Sequence, residues 1–197
     1  GNNSAYGLRK TVIEKFNRIE SSELDEELKS TDPITAILLK TGFLKAKIGY
    51  SVCKANADFS ENEHLYVNGR KSDKFIFLSS FGKSYTLDGE NLVFGSQKGK
   101  PFSSYFSLKE NEEIVDSFLY RNNQKILLCS NNGYGFFINS DNLMSNKKSG
   151  KKVFNIKKND FLHSSVQTNK DQKYIFLLTK NKNENRASVI SMKDIPT

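Results

Sequence analysis

From Pro33 onward, short apolar runs alternate with polar turns. Ile34–Leu39, Phe75–Leu78, Ile126–Leu128 and Tyr174–Leu178 are runs of β-branched, aromatic and leucine residues. Each is followed by a polar turn and a second short run, as in Phe77-Leu78-Ser79-Ser80-Phe81-Gly82-Lys83-Ser84-Tyr85-Thr86-Leu87. Segments of this length, bounded by Gly, Ser and Asn, have the grammar of β-hairpins. Residues 1–30 follow another period. Leu8, Val12, Ile13, Phe16 and Ile19 recur at helical spacing, and Leu24 and Leu28 extend the stripe weakly. Asp32-Pro33 marks the change, because the residue before a proline is pushed out of helical geometry. The pattern predicts a helical segment over 1–30 and an all-β domain over 31–197.

The hairpins repeat. Gly82 and Gly133 lie 51 residues apart, as do Ser79 and Ser130, Asn91 and Asn142, Leu92 and Leu143, Gly99 and Gly150, and Lys100 and Lys151. In both units the turn glycine is followed 17 residues later by Gly-Lys. A looser copy begins at Leu38-Leu39-Lys40-Thr41-Gly42-Phe43. A fourth begins at Gln172-Lys173-Tyr174-Ile175-Phe176-Leu177, with Asn181–Asn185 replacing the glycine turn. A period of this size with several strands per unit is the signature of propeller blades. It predicts about four blades, with Gly42, Gly82, Gly99, Gly133 and Gly150 at structural turns. By the same count Asp194-Ile195-Pro196 falls mid-blade, which predicts a ring that is open or incomplete.

Charge sharpens this picture. The chain carries a formal +8, yet residues 1–30 hold five basic and six acidic side chains. The excess therefore belongs wholly to the β part. It concentrates in lysine clusters: Lys147, Lys148, Lys151, Lys152, Lys157 and Lys158 occupy residues 145–158 without an acid, Lys98 and Lys100 flank Gly99, and Arg70, Lys71 and Lys74 form a third group. Lysines beside glycines suit phosphate contact, because the backbone can approach the strand and the cation is a mobile point charge. Lysine-rich loops can also be plain solvated turns. Recurrence of Gly-Lys on successive blades favours contact with DNA. The interleaved aromatics Phe75, Phe77, Phe136, Phe137, Tyr174 and Phe176 lie in apolar strand patterns, so core packing takes precedence over base stacking.

Three segments carry a family resemblance. Ile34-Thr35-Ala36-Ile37-Leu38-Leu39-Lys40-Thr41-Gly42-Phe43-Leu44-Lys45-Ala46 resembles the opening blade of the C-terminal domain of the topoisomerase IV A subunit. Phe77 to Tyr85 resembles its second blade. Gln124-Lys125-Ile126-Leu127-Leu128-Cys129-Ser130-Asn131-Asn132-Gly133-Tyr134-Gly135-Phe136 resembles its third. Ala5-Tyr6-Gly7 is similar to the segment leaving that family's DNA-cleavage core, which would make 1–30 a linker. The resemblance implies a β-pinwheel, a propeller whose blades exchange a strand, that binds and bends duplex DNA on a basic rim. It implies no cofactor in this domain. The implied partners are double-stranded DNA, the ATPase B subunit, plus the rest of the A subunit, in the bacterial cytoplasm. Candidate DNA contacts are Lys45, Lys47, Arg70, Lys71, Lys74, Lys83, Lys98, Lys100, Lys147, Lys148, Lys151, Lys152, Lys157 and Lys158. Gyrase A subunits carry a Gln-Arg-Arg-Gly-Gly-Lys-Gly box. Here Gln97-Lys98-Gly99-Lys100 and Lys148-Ser149-Gly150-Lys151 echo it without the arginine pair, which favours topoisomerase IV over gyrase.

Catalytic patterns are wanting. His64 and His163 are the only histidines and make no metal site between them. Neither a phosphate-cradling GxxxxGK[ST] nor a GxSxG nucleophile turn occurs. Glu110, Glu112, Glu113 and Asp116 cluster without a base or ligand beside them, so they read as a solvated acidic loop. Cys53 and Cys129 have no CxxC spacing and are expected to be reduced thiols. Nothing at Gly1-Asn2-Asn3-Ser4 resembles a signal peptide, and no apolar run approaches the roughly 18 residues of a membrane span. Two other classes compete with DNA binding: a propeller that docks proteins, whose lysines would confer solubility or meet an acidic partner, and a propeller hydrolase, which the missing acid/base pair disfavours.

Overall fold

The computed structural model describes residues 31–51, 63–94, 96, 98–180 and 185–197. The helical segment expected over 1–30, and Cys53, lie outside the described residues. Thirteen strands are described. β1 (Pro33–Leu39) and β2 (Phe43–Ile48) form the first hairpin and β3 (Glu63–Arg70) follows. The second hairpin is β4 (Lys74–Ser79) and β5 (Lys83–Asp88), followed by the two-residue β6 (Lys100–Pro101) and by β7 (Ile114–Leu119). The third is β8 (Lys125–Ser130) and β9 (Gly135–Asn139), followed by β10 (Lys151–Lys152) and β11 (Leu162–Gln167). The fourth is β12 (Tyr174–Lys180) with β13 (Asn185–Ser191).

These strands make four sheets in the orders β3-β1-β2-β6, β7-β4-β5-β10, β11-β8-β9 and β12-β13. In the first three, the leading hairpin strand is central and the next long strand pairs along its other side. The short fourth strand is borrowed. β6 follows the second hairpin in the chain but pairs with β2 of the first, and β10 follows the third hairpin but pairs with β5 of the second. The resulting blades with exchanged strands are the expected all-β pinwheel pattern.

The turn glycines follow from hairpin geometry. Gly42 N–H donates to Leu39 O at 2.9 Å, Gly82 to Ser79 O at 2.9 Å and Gly133 to Ser130 O at 3.1 Å. Their φ angles are +78°, +70° and +84°, a region costly for any side chain. The recurring serines serve the same turn. Ser79 Oγ accepts from Lys83 N at 3.3 Å, and Ser130 Oγ accepts from Tyr134 N at 3.3 Å.

Unbroken apolar runs, rather than alternating ones, arise because central strands are covered on both faces. Ile34, Ala36, Leu38 and Leu44 meet Phe75, Phe77 and Tyr85 between the first two sheets, with Phe102 and Phe106 filling the gap. Ile76 and Leu78 turn the other way, onto Ile126 and Leu128 of the third sheet. Leu127 and Phe137 then meet Ile175 and Leu177 of the fourth. The alternate residues of β12, Tyr174, Phe176 and Leu178, remain 62%, 60% and 75% exposed.

Two of the turn glycines, Gly82 and Gly133, should differ under substitution. A Cβ on Gly82 would sit 2.4 Å from the Phe154 carbonyl oxygen, whereas one on Gly133 meets nothing within 4 Å. Gly133→Ala is expected to lose about 1 kcal/mol, the cost of the left-handed backbone alone. Gly82→Ala is expected to lose about 2–4 kcal/mol, because backbone must also move. Urea unfolding measures both, and equal losses would contradict the steric role given to Gly82.

Candidate nucleic-acid interface

The exchanged strands determine where the Gly-Lys sequences lie. After β5 the chain makes a 3-10 turn over Gly89–Asn91 and crosses back, with Ala46 N donating to Val93 O at 3.0 Å. Gly99, at φ +75°, then feeds Lys100 alongside Leu44. After β9 the path recurs: a 3-10 turn at Ser140–Leu143, Gly150 at φ +74°, and Lys151 alongside Ser84. Both glycines are needed for close approach. Added Cβ atoms would lie 2.6 Å from Leu44 O and 2.6 Å from the Tyr85 ring. The return is anchored alike in both units, since Phe102 N donates to Gly42 O at 2.8 Å and Val153 N to Gly82 O at 2.9 Å.

The two Gly-Lys segments are therefore equivalent edge strands on successive sheets, at the hairpin-turn end. Lys98, Lys100, Lys147, Lys148, Lys151 and Lys152 project there and are exposed. Lys45 and Lys47 lie on β2 beside the first of these edges, Lys45 half-buried and Lys47 exposed. Within the described residues, Lys47, Lys98, Lys147, Lys148, Lys151 and Lys158 hold no side-chain hydrogen bond or ion pair. Lys100 lies over the Tyr105 ring at 4.9 Å and Lys157 over Tyr134 at 3.9 Å, each still open to solvent. Lys152 donates to Phe81 O at 2.7 Å. Burial, and then the nearby charges of Lys83 and Lys109, push its ammonium below the usual lysine range.

Lys83 is different from these. Its side chain is only 13% exposed and its Nζ lies 2.9 Å from Glu112 Oε2. The Glu112 carboxylate also accepts from Ser79 Oγ at 2.6 Å, Tyr85 Oη at 2.7 Å and Lys109 N at 2.9 Å. Burial pushes this carboxyl up, but the four donors outweigh it and hold it below the usual carboxylate range. The Tyr85 phenol moves up, from burial first and then from its bond to Glu112. Glu112 is thus a buried tether for the second hairpin turn, not part of a solvated loop. In the third unit Asp160 ties the equivalent turn, accepting from Asn132 N at 3.1 Å.

Arg70, Lys71 and Lys74 do not join the edge lysines. They flank the β3–β4 turn, at the other end of strands roughly 17 Å long at 3.4 Å per residue. Lys74 is paired with Asp88, and Lys71 sits 5.1 Å from the Phe94 ring centroid. Arg121 and Lys125, which sequence reasoning missed, occupy the same positions one blade later. The signal was available, because Arg70 and Arg121, like Lys74 and Lys125, are 51 residues apart. Of the histidines, His64 Nε2 is 3.0 Å from Ile114 O and His163 is exposed. Among the described residues no group of three or more His, Cys, Asp or Glu could hold a metal ion. None of the described helices is long and apolar enough to cross a membrane.

No family model matches the chain. It is 28% identical over 149 residues to the DNA topoisomerase 4 A subunit of Caulobacter vibrioides, covering 75% of this chain and 20% of that protein. It superimposes on the Escherichia coli ParC C-terminal domain with a TM-score of 0.71 at 21% identity, over 84% of this chain and 67% of that one. A DNA gyrase A C-terminal domain gives 0.57 at 22% identity, over 83% and 56%. The chain spans about a fifth of the length of the curated relatives it matches. The resemblance to the topoisomerase IV A subunit thus holds in sequence, and the fold is that of the C-terminal β-pinwheel domains.

The Glu112 tether has a pH signature. A carboxyl whose folded pKa lies below its unfolded value contributes stability that is present above the unfolded value and lost as pH falls through the folded one. Glu112→Gln should lower stability by about 3 kcal/mol at pH 7, because the Lys83 ammonium would lose its buried partner. The gap between parent and variant should narrow as pH falls below about 4. Thermal melts of both proteins at pH 7 and pH 3 test this, and a gap that is constant with pH would contradict it.

Proposed function

We propose that the chain is a non-catalytic DNA-binding and DNA-bending domain of a topoisomerase IV A subunit. In this reading it presents a duplex segment to an ATP-dependent strand-passage core for decatenation and supercoil relaxation. Its partners in a bacterial cytoplasm would be the rest of the A subunit together with an ATPase B subunit. One observation carries the reading: equivalent Gly-Lys edge strands on two successive sheets, where Lys98, Lys147, Lys148 and Lys151 are exposed and hold no side-chain hydrogen bond or ion pair among the described residues. Sheets pack about 10 Å apart, roughly three phosphate steps of about 3.4 Å along one strand, so a duplex laid across the edges meets a group of cations every few phosphates. Lysines make point contacts with phosphate and few forked contacts with bases, so binding should be tolerant of sequence. A duplex that follows edges turned progressively by blade packing must bend.

Exposed, unpaired lysines contribute little to stability, so they can be removed without unfolding the domain. Changing Lys98, Lys147, Lys148 and Lys151 together to Gln should leave the melting temperature nearly unchanged. If all four touch phosphate, the log–log salt slope of duplex binding should fall by about 3–4, at roughly 0.9 per contact. Fluorescence anisotropy across a salt series reads the slope. Equal affinity of parent and variant at every salt concentration would show that the duplex runs elsewhere.

A further inference from the structure

A cleft of about 880 Å³ lies between the third and fourth sheets, at the end of the strands opposite the Gly-Lys edges. Among the described residues, five cationic ones line it, Arg121, Lys125, Lys170, Lys173 and Lys193, and no carboxylate does. All five are exposed. Asp171 and Asp194 adjoin two of them in sequence but do not line the cleft. Asp141, nearby, is engaged by Tyr120 Oη at 2.6 Å and Asn123 N at 3.3 Å.

The corresponding place one blade earlier shows that this excess is local. There Lys74 stands opposite Asp88 in the hairpin register and is paired with it. In the third blade Lys125 stands opposite Asn139, whose amide is spent on Asn123 Oδ1 at 2.7 Å. Among the described residues, Lys125 Nζ meets only the Phe137 ring, 6.0 Å from its centroid. Asp73, which accepts from Arg70 N at 2.8 Å, is replaced 51 residues later by Gln124. Gln124 donates to Thr168 O at 3.3 Å, and its own amide oxygen is buried without a partner. The same fold position thus carries two carboxylates beside its cations in the second blade, one of them paired with Lys74, and two amides in the third. Lys170 and Lys173 add charge from the fourth blade. Like charges gathered in a concavity without counter-charge repel one another, and a polyanion relieves that repulsion.

We propose that this cleft is a second polyanion site, which takes the phosphate backbone of a second nucleic-acid segment while the Gly-Lys edges hold the first. The proposal rests on the DNA-binding reading only for the identity of the ligand. Cations contributed by two successive blades, Arg121 and Lys125 from the third and Lys170 and Lys173 from the fourth, match a polymer with repeated charge better than an irregular acidic peptide. A duplex that follows the Gly-Lys edges leaves the cleft, at the opposite strand ends, open to a second segment. The two basic regions fit a domain that holds two segments at once.

Lysine-acetylation footprinting of the 197-residue chain, read by mass spectrometry, tests the two regions separately. At low salt and saturating mixed-sequence duplex, Lys125, Lys170, Lys173 and Lys193 should acetylate about fivefold more slowly than without DNA, a slowing that high salt should abolish. The variant R121Q/K125Q/K170Q/K173Q should keep the protection of Lys98, Lys147, Lys148 and Lys151. It should lose the ability to co-retain a free labelled duplex on a bead-tethered one. Cleft lysines that react equally with and without duplex would overturn the proposal. So would protection by polyglutamate but not by duplex, which would assign the cleft to an acidic protein segment. If the cleft lysines are protected and the edge lysines are not, the edge reading fails and the cleft stands as a nucleic-acid site.

Discussion

Phe75 and Phe77 look toward the first sheet, Ile76 and Leu78 toward the third, and all four are buried. A strand built this way must lie between two other layers, and the remaining architecture depends on that condition. It sets the order in which the sheets stack and places the leading hairpin strand inside each of the first three sheets. The exchanged strands then tie neighbours together. β6 and β10 carry chain from one blade onto the edge of the preceding one, so that side-chain packing and backbone pairing couple the same two sheets. At the fourth sheet the condition is met on one face only, which leaves Tyr174, Phe176 and Leu178 exposed.

Much of this was legible in the residues. Apolar runs without alternation, glycine turns and the 51-residue offset located the hairpins, because each depends on local backbone geometry that the sequence states directly. The exchange of strands was not legible from periodicity. Lys100-Pro101 and Lys151-Lys152 are two-residue strands with no apolar pattern, and they pair with residues more than fifty positions away; only the family resemblance pointed to the exchange. The site was read less evenly. Counting lysines gathered Lys83 with the others, although a buried carboxylate 29 residues away takes its charge. It also grouped Arg70, Lys71 and Lys74 with the Gly-Lys cations, although they lie at the other end of the strands. Charge in a sequence is a sum, whereas a ligand meets only what its neighbours leave unpaired.

The repeat also shows how one scaffold can serve different ends. Equivalent positions keep the residues that the backbone requires, namely the turn glycines, the serine beneath the second and third turns, and the glycine before each exchanged strand. They vary where side chains reach solvent. The change from Asp73 and Asp88 to Gln124 and Asn139 leaves the hairpin register intact and removes two carboxylates. Such changes carry little cost in stability, because exposed ion pairs are worth at most about 1 kcal/mol.

In the proposed function, the exchanged edge strands form one basic track along which a duplex is curved. Energy transfer between dyes at the two ends of a duplex measures that curvature directly. Transfer should rise when the domain binds and return to its free-duplex value as salt dissociates the complex. A duplex that is fully bound by anisotropy yet keeps its free end-to-end distance would contradict the claim.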